Sequence, residues 1–119
     1  SEVLFESGEA NIGIEGQRQL AKLSVAIQDL IDQIPTEINW ILRIDGHTDT
    51  IPIRNSRFQS NWELSAARAI SVVEFLTRTG IPAKRLAATG RGEFMPLDTG
   101  KSEEAYKKNR RIEIKLTES

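Results

Sequence analysis

Residues 45–50 read Asp-Gly-His-Thr-Asp-Thr. Two carboxylates, two hydroxyls and the single histidine of the chain crowd into this stretch. Such groups can ligate a cation, move protons, recognise a charged ligand or simply close a turn. A zinc site would have to be built mainly from carboxylates, because there is no second histidine and no cysteine, and such donor sets are uncommon. A hydrolase fares worse. No serine sits in a Gly-x-Ser-x-Gly elbow, and any triad would have to use His47. Glycan cleavage by paired carboxylates needs one acid raised in an apolar pocket, whereas arginines near Asp45 and Asp49 favour the ionised forms. Ligand recognition and a packed turn remain, with His47 read as a packed residue that holds the loop by hydrogen bonds. Neither turnover nor a metal or cofactor is expected.

A second charged residue stands out further along. Leu64, Ala67, Ser71, Val72, Phe75 and Leu76 form an apolar stripe at helical spacing, and Arg68 lies on it. A guanidinium at the edge of a core is costly unless it is paired or well hydrogen-bonded. A helix that follows the strand before Asp45 and packs back on it brings its first turns near the strand's end. Asp49 is then the expected partner of Arg68. The two either neutralise each other or face a pocket, where carboxylate and guanidinium together would hold a zwitterion.

The elements that must position these groups follow from periodicity. Residues 38–45 alternate, with Ile38, Trp40, Leu42 and Ile44 on one face, which predicts a strand. Leu20, Leu23, Ile27, Leu30, Ile31 and Ile34 predict an amphipathic helix over 14–34, ended by Pro35. Ser60 and Glu63 fit a capping box that opens a helix to about residue 79, with Gly80 at its exit. Residues 3–5 and 86–89 read as short strands and 103–108 as a short helix. Residues 111–117 alternate, with Ile112, Ile114 and Leu116 inward. The expected fold is α+β, a βαβαβ(α)β two-layer sandwich with a small mixed sheet and two main helices on one face.

The whole chain agrees with a globular domain. Its 119 residues are 39% hydrophobic and 28% charged, enough for one core spanning 1–119. Sixteen basic against seventeen acidic residues give a net charge of −1, which argues against a nucleic-acid module. No run approaches a membrane span.

Three ordered motifs then carry a resemblance. Gly46-His47-Thr48-Asp49, Asn61-Trp62-Glu63-Leu64-Ser65-Ala66-Ala67-Arg68-Ala69 and Asn109-Arg110-Arg111 resemble the OmpA C-terminal-like domain. The stretch from Ile51 to Ser65 and the opening Leu4-Phe5-Glu6-Ser7-Gly8 look most like its flagellar-stator branch, the MotB-type proteins. The resemblance covers nearly the whole chain. It implies a periplasmic domain that binds peptidoglycan non-covalently, as the C-terminal part of a longer, membrane-tethered protein, with a homodimer possible in the stator branch. By resemblance, Asp49 and Arg68 grip the zwitterionic end of diaminopimelate in the stem peptide. Thr48, Thr50, Asn61 and Leu64 match positions that line the pocket, and Arg111 matches a pocket-edge arginine. Ser7 and Gly8 stand where many relatives carry polar pocket residues, and Gly8 offers only backbone.

Other features receive plainer readings. Gly90-x-Gly92 lacks the rest of a dinucleotide loop and reads as a tight strand end. Trp62, in the first turn of the helix, reads as a pocket wall or a core residue, with core packing preferred. Lys107, Lys108, Arg110 and Arg111 read as a solvated basic face. The alternative to wall binding is a structural dimerisation domain, which would tolerate loss of Asp49.

Overall fold

The computed structural model describes residues 4–6 and 8–118. In chain order these form helix α1 (Ile14–Ile31), strand β1 (Trp40–His47), helix α2 (Asn61–Arg78), a 3-10 turn (Ala83–Arg85), strand β2 (Leu86–Gly90), helix α3 (Glu103–Asn109) and strand β3 (Arg111–Glu118). The sheet order is β2-β1-β3, with β1 parallel to β2 and antiparallel to β3. This is the expected small mixed sheet, with α2 packed on it and α1 packed on α2.

The expected first strand is reduced to a bridge. Phe5 pairs with Ile12 alone, while Val3 lies outside the described residues. Among the described residues, Leu4 and Phe5 precede the polar turn, where Gly8 has a φ of 71° and the Glu9 amide donates to the Glu6 carbonyl. The chain therefore doubles back, and Leu4 and Phe5 go into the core instead of extending the sheet.

The core lies between the helices and one face of β1. Trp40, Leu42 and Ile44 meet Ala69, Val72 and Leu76 of α2, with Leu20 and Ile27 of α1 beyond. Burying a side chain of this size contributes about 1.5–3 kcal/mol. The α1 stripe is narrower than its sequence implies: Leu23 and Leu30 are exposed, and Ser24 is buried, bonded to the Thr79 hydroxyl at 2.6 Å. On β3, Ile112 and Ile114 reach the core, but Leu116 near its end stays exposed.

Two paired glycines set the height of α2 over the sheet. Gly46 and Gly90 lie side by side in β1 and β2. A Cβ on Gly46 would come 2.2 Å from the Ser65 carbonyl oxygen, and one on Gly90 would come 2.8 Å from Ala66. Neither position has room for a side chain, so the first turns of α2 rest directly on the strand ends. The helix start is fixed by Ser60, whose hydroxyl accepts from the Glu63 amide, while Glu63 in turn accepts from the Gln59 amide.

Candidate functional site

Past its last residue, β1 stays tied to its neighbour. The Arg91 amide donates to the Gly46 carbonyl at 2.9 Å, and the Thr48 amide donates to the Gly92 carbonyl at 2.8 Å. The chain then turns at Asp49, whose Oδ1 accepts from the Ile51 amide at 2.9 Å, an Asx-type turn. Asn61, first residue of α2, donates to the Asp49 and Ile51 carbonyls and so fastens the loop to the helix. Phe58 folds back onto Ala10 and Leu64 as a small second core. Strand end, loop and helix start thus become one rigid corner.

Arg68 sits in that corner, 7% exposed. The expected ion pair with Asp49 is not formed. Arg68 Nε donates to the Glu9 carbonyl at 2.8 Å and Nη2 to the Glu6 carbonyl at 3.0 Å. Its guanidinium lies 5.0 Å from the centre of the Phe5 ring. The doubled-back N-terminal segment therefore supplies neutral acceptors, and no carboxylate cancels the charge among the described residues. Burial lowers the Arg68 pKa, and the charge of Arg110 adds to this; the nearby Asp49 and Glu9 oppose it.

Asp49 instead pairs with Arg110, whose Nη1 donates to Oδ2 at 2.6 Å. Nη2 of Arg110 reaches Glu103 at 2.5 Å. These residues surround an open cleft of about 710 Å³. Thr48, Asp49, Asn61, Leu64 and Arg68 all line it, as the sequence leads one to expect, and Arg110 and Glu103 complete its wall. Gly8 borders it as well, while Ser7 lies outside the described residues.

Two expected pocket residues are elsewhere. Thr50 is exposed and does not line the cleft. Arg111 lies opposite His47 in the sheet and engages Glu113 and the Met95 carbonyl. The reason is strand alternation: Ile112 and Ile114 face the helices, so Arg111 must face the other way. That signal was in the sequence, and it points to Arg110, at the C-cap of α3, as the cleft arginine.

The remaining members of the 45–50 cluster lie on the helix-free face. Asp45 is 1% exposed and takes a two-pronged contact from Arg43 at 2.9 and 3.0 Å, with Arg91 at 3.8 Å. His47 is buried, yet neither ring nitrogen is hydrogen-bonded; its Nε2 is 3.7 Å from Glu113. It packs as expected, but it does not hold the loop by hydrogen bonds. Burial pushes its pKa below 6.5, reinforced mainly by Arg111, so the ring is neutral at pH 7. Hydrogen bonding to Arg111 holds the Glu113 carboxyl below its ordinary value. Asp45, His47 and Glu113 bring three donor atoms within 4.8 Å of one another. Arg43, Arg91, Arg111 and Lys115 already serve the two carboxylates. A divalent cation would enter a cluster whose charge is already positive, which argues against a metal there.

Comparison with known proteins agrees with this architecture. The OmpA family model matches residues 4–110. Motility protein B of Bacillus subtilis is 39% identical over 113 residues, covering 94% of this chain and 41% of that protein. The Bacillus subtilis protein YtxE is 38% identical over 118 residues, covering 98% of this chain and 46% of that protein. The chain therefore spans less than half the length of these curated relatives. Among solved structures, a MotB-like protein from Desulfovibrio vulgaris superposes with a TM-score of 0.86 at 34% identity, covering 99% of this chain and 69% of that one. The cell wall anchor of the T6SS from Pseudomonas aeruginosa gives 0.83 at 33% identity, covering 99% of this chain and 76% of that one. With the family model spanning nearly all of the described fold, and relatives this similar along almost its full length, the chain belongs to the OmpA family.

Proposed function

We propose that this chain is one peptidoglycan-binding domain of a longer, membrane-tethered envelope protein, and that it anchors that protein to the cell wall from the periplasm. The ligand is the stem peptide, held by the zwitterionic end of its diaminopimelate. One observation carries the reading. Arg68 enters the cleft braced by two backbone carbonyls, with no carboxylate spent on it among the described residues. Its positive charge is therefore available to a ligand carboxylate. Asp49 and Glu103, bridged by Arg110, offer the negative side that a ligand ammonium needs. A purely structural ion pair would have closed Arg68 directly on Asp49.

Family membership supports the same direction, since one similar structure is described as a cell wall anchor. No helix among the described residues is long and apolar enough to cross a membrane. Binding without turnover is part of this reading, and the similarity to a structure described as a cell wall anchor supports it.

The test is a titration with a diaminopimelate-containing muropeptide, followed by backbone amide NMR. Shifts centred on residues 46–51 and 61–68 that disappear in Asp49→Asn and in Arg68→Leu support the reading. A folded wild-type chain that gives no shifts at millimolar ligand overturns it.

A further inference from the structure

Beside the cleft, one surface departs from the polar exterior. Trp62 is 53% exposed and Phe94 58%, and their rings stack with centroids 4.9 Å apart and planes inclined by 28°. Met95 and Leu97 continue the apolar surface and are also more than half exposed. Trp62 is thus not the core residue its helical position implied. Large apolar groups gathered in water commonly mark a recognition surface.

The pair is firmly seated. Gly92, at a φ of 62°, lies beneath it: a Cβ there would meet the Phe94 ring at 3.3 Å and Trp62 at 3.5 Å. The Gly92 amide donates to the Ser65 hydroxyl at 2.9 Å, and its carbonyl accepts from the Thr48 amide. The rings and the cleft residue Thr48 therefore share one backbone junction. Asn61 and Glu93 repeat the link, since Asn61 lines the cleft and donates to the Glu93 carboxylate at 3.3 Å. Asn61-Trp62 and Glu93-Phe94 are two neighbouring dipeptides. In each, a polar residue of this hydrogen-bonded pair is followed by an exposed ring.

We propose that the Trp62–Phe94 pair is a sugar-stacking platform that receives the glycan of the ligand whose stem peptide occupies the cleft. This rests on the reading of the cleft given above. The face of a pyranose presents C–H groups with slight positive charge, and an aromatic face is slightly negative, so the two stack. The half-buried Glu93 carboxylate beside the rings suits hydroxyl and acetamido N–H donors at the sugar's edge. The stem peptide is covalently joined to a sugar, so a peptide held in the cleft delivers that sugar to the adjoining surface at high effective concentration. Continuity with the cleft favours this occupant over a protein partner, which would need no such junction.

The experiment compares two ligands on the same chain: a disaccharide muropeptide and the matching sugar-free stem peptide, with dissociation constants from calorimetry. Wild type is expected to bind the muropeptide about fivefold more tightly than the free peptide. Phe94→Ala should bring that ratio to one and leave affinity for the free peptide unchanged, while Phe94→Tyr keeps the advantage. Thermal unfolding of each variant confirms that it is folded. Equal affinities in wild type overturn the platform and leave the cleft reading intact. So does a Phe94→Ala variant that weakens both ligands alike, because the ring would then only brace the cleft. Binding of the muropeptide alone, lost in Phe94→Ala, keeps the platform and overturns the cleft reading. Binding of neither ligand overturns both.

Discussion

The stretch 45–50 feeds two charged clusters that end up on opposite sides of the sheet, and they behave differently. On the helix-free face, Asp45 and Glu113 are each gripped by guanidinium groups at close range, and His47 is packed neutral between them. Charge there is answered by charge. In the cleft, Arg68 is answered by backbone carbonyls, and Asp49 shares Arg110 with Glu103. In the first cluster each carboxylate is paired within its own face, although the His47 ring nitrogens stay unbonded. The second keeps a cation that pairs with no carboxylate among the described residues, beside open space, which is the arrangement expected of a binding site. Composition does not separate the two clusters; only the partner of each charge does.

The comparison can be broken most forcefully at the cleft. Arg68→Leu should cost about 2–5 kcal/mol of muropeptide binding, because the ligand carboxylate is left without its counter-charge in a partly buried site. Titration calorimetry measures it, and an unchanged affinity would place Arg68 among purely structural residues. Gly46→Ala tests the junction that both clusters share. With 2.2 Å to the Ser65 carbonyl, the added methyl must lift α2, at about 1–3 kcal/mol of stability in urea unfolding. A neutral result would mean that the helix start moves freely over the strand ends.

The helix-free face predicts a pH effect. The folded pKa of His47 lies below 6.5, so the unfolded chain binds the extra proton first as pH falls. Stability from this group is complete above 6.5 and is lost as pH drops from there toward the folded pKa. Glu113, held below its ordinary 4.5, adds a separate loss at lower pH. In His47→Gln the slope just below pH 6.5 should flatten while the lower one persists. A slope that survives the substitution must come from another group. The smallest effect sharpens the contrast between adjacent arginines. Arg111→Ala should leave muropeptide affinity within about 0.5 kcal/mol of wild type, since its side chain never reaches the cleft. Arg110→Ala, which frees Asp49 from its partner, should not be silent.

Much of this was legible along the chain. The face of β1, the start of α2 and the nearness of Asp49 to Arg68 follow from local periods and a capping signal, whereas Asn61 and Leu64 entered the pocket by resemblance. Arg111 lies away from the cleft, and alternation with Ile112 and Ile114 already turned it outward. Trp62 is exposed for a different reason. Helical phase says which way a side chain leaves the helix, but not whether anything stands there to cover it. Only the loop at Gly92 and Phe94 decides that, and it arrives some thirty residues later.

What the sequence determined by itself is therefore the set of elements and the end of the sheet at which the charges gather. Those depend on spacings of two to four residues, where steric and hydrogen-bonding rules act within one strand or one helical turn. What the tertiary structure decided is how each charge is satisfied. Arg68 finds its acceptors 59 and 62 residues away, and Asp49 finds Arg110 at a separation of 61. Contacts at that range are fixed by how the N-terminal segment doubles back and where α3 ends. No local pattern encodes either, because they are set by the packing of the whole core.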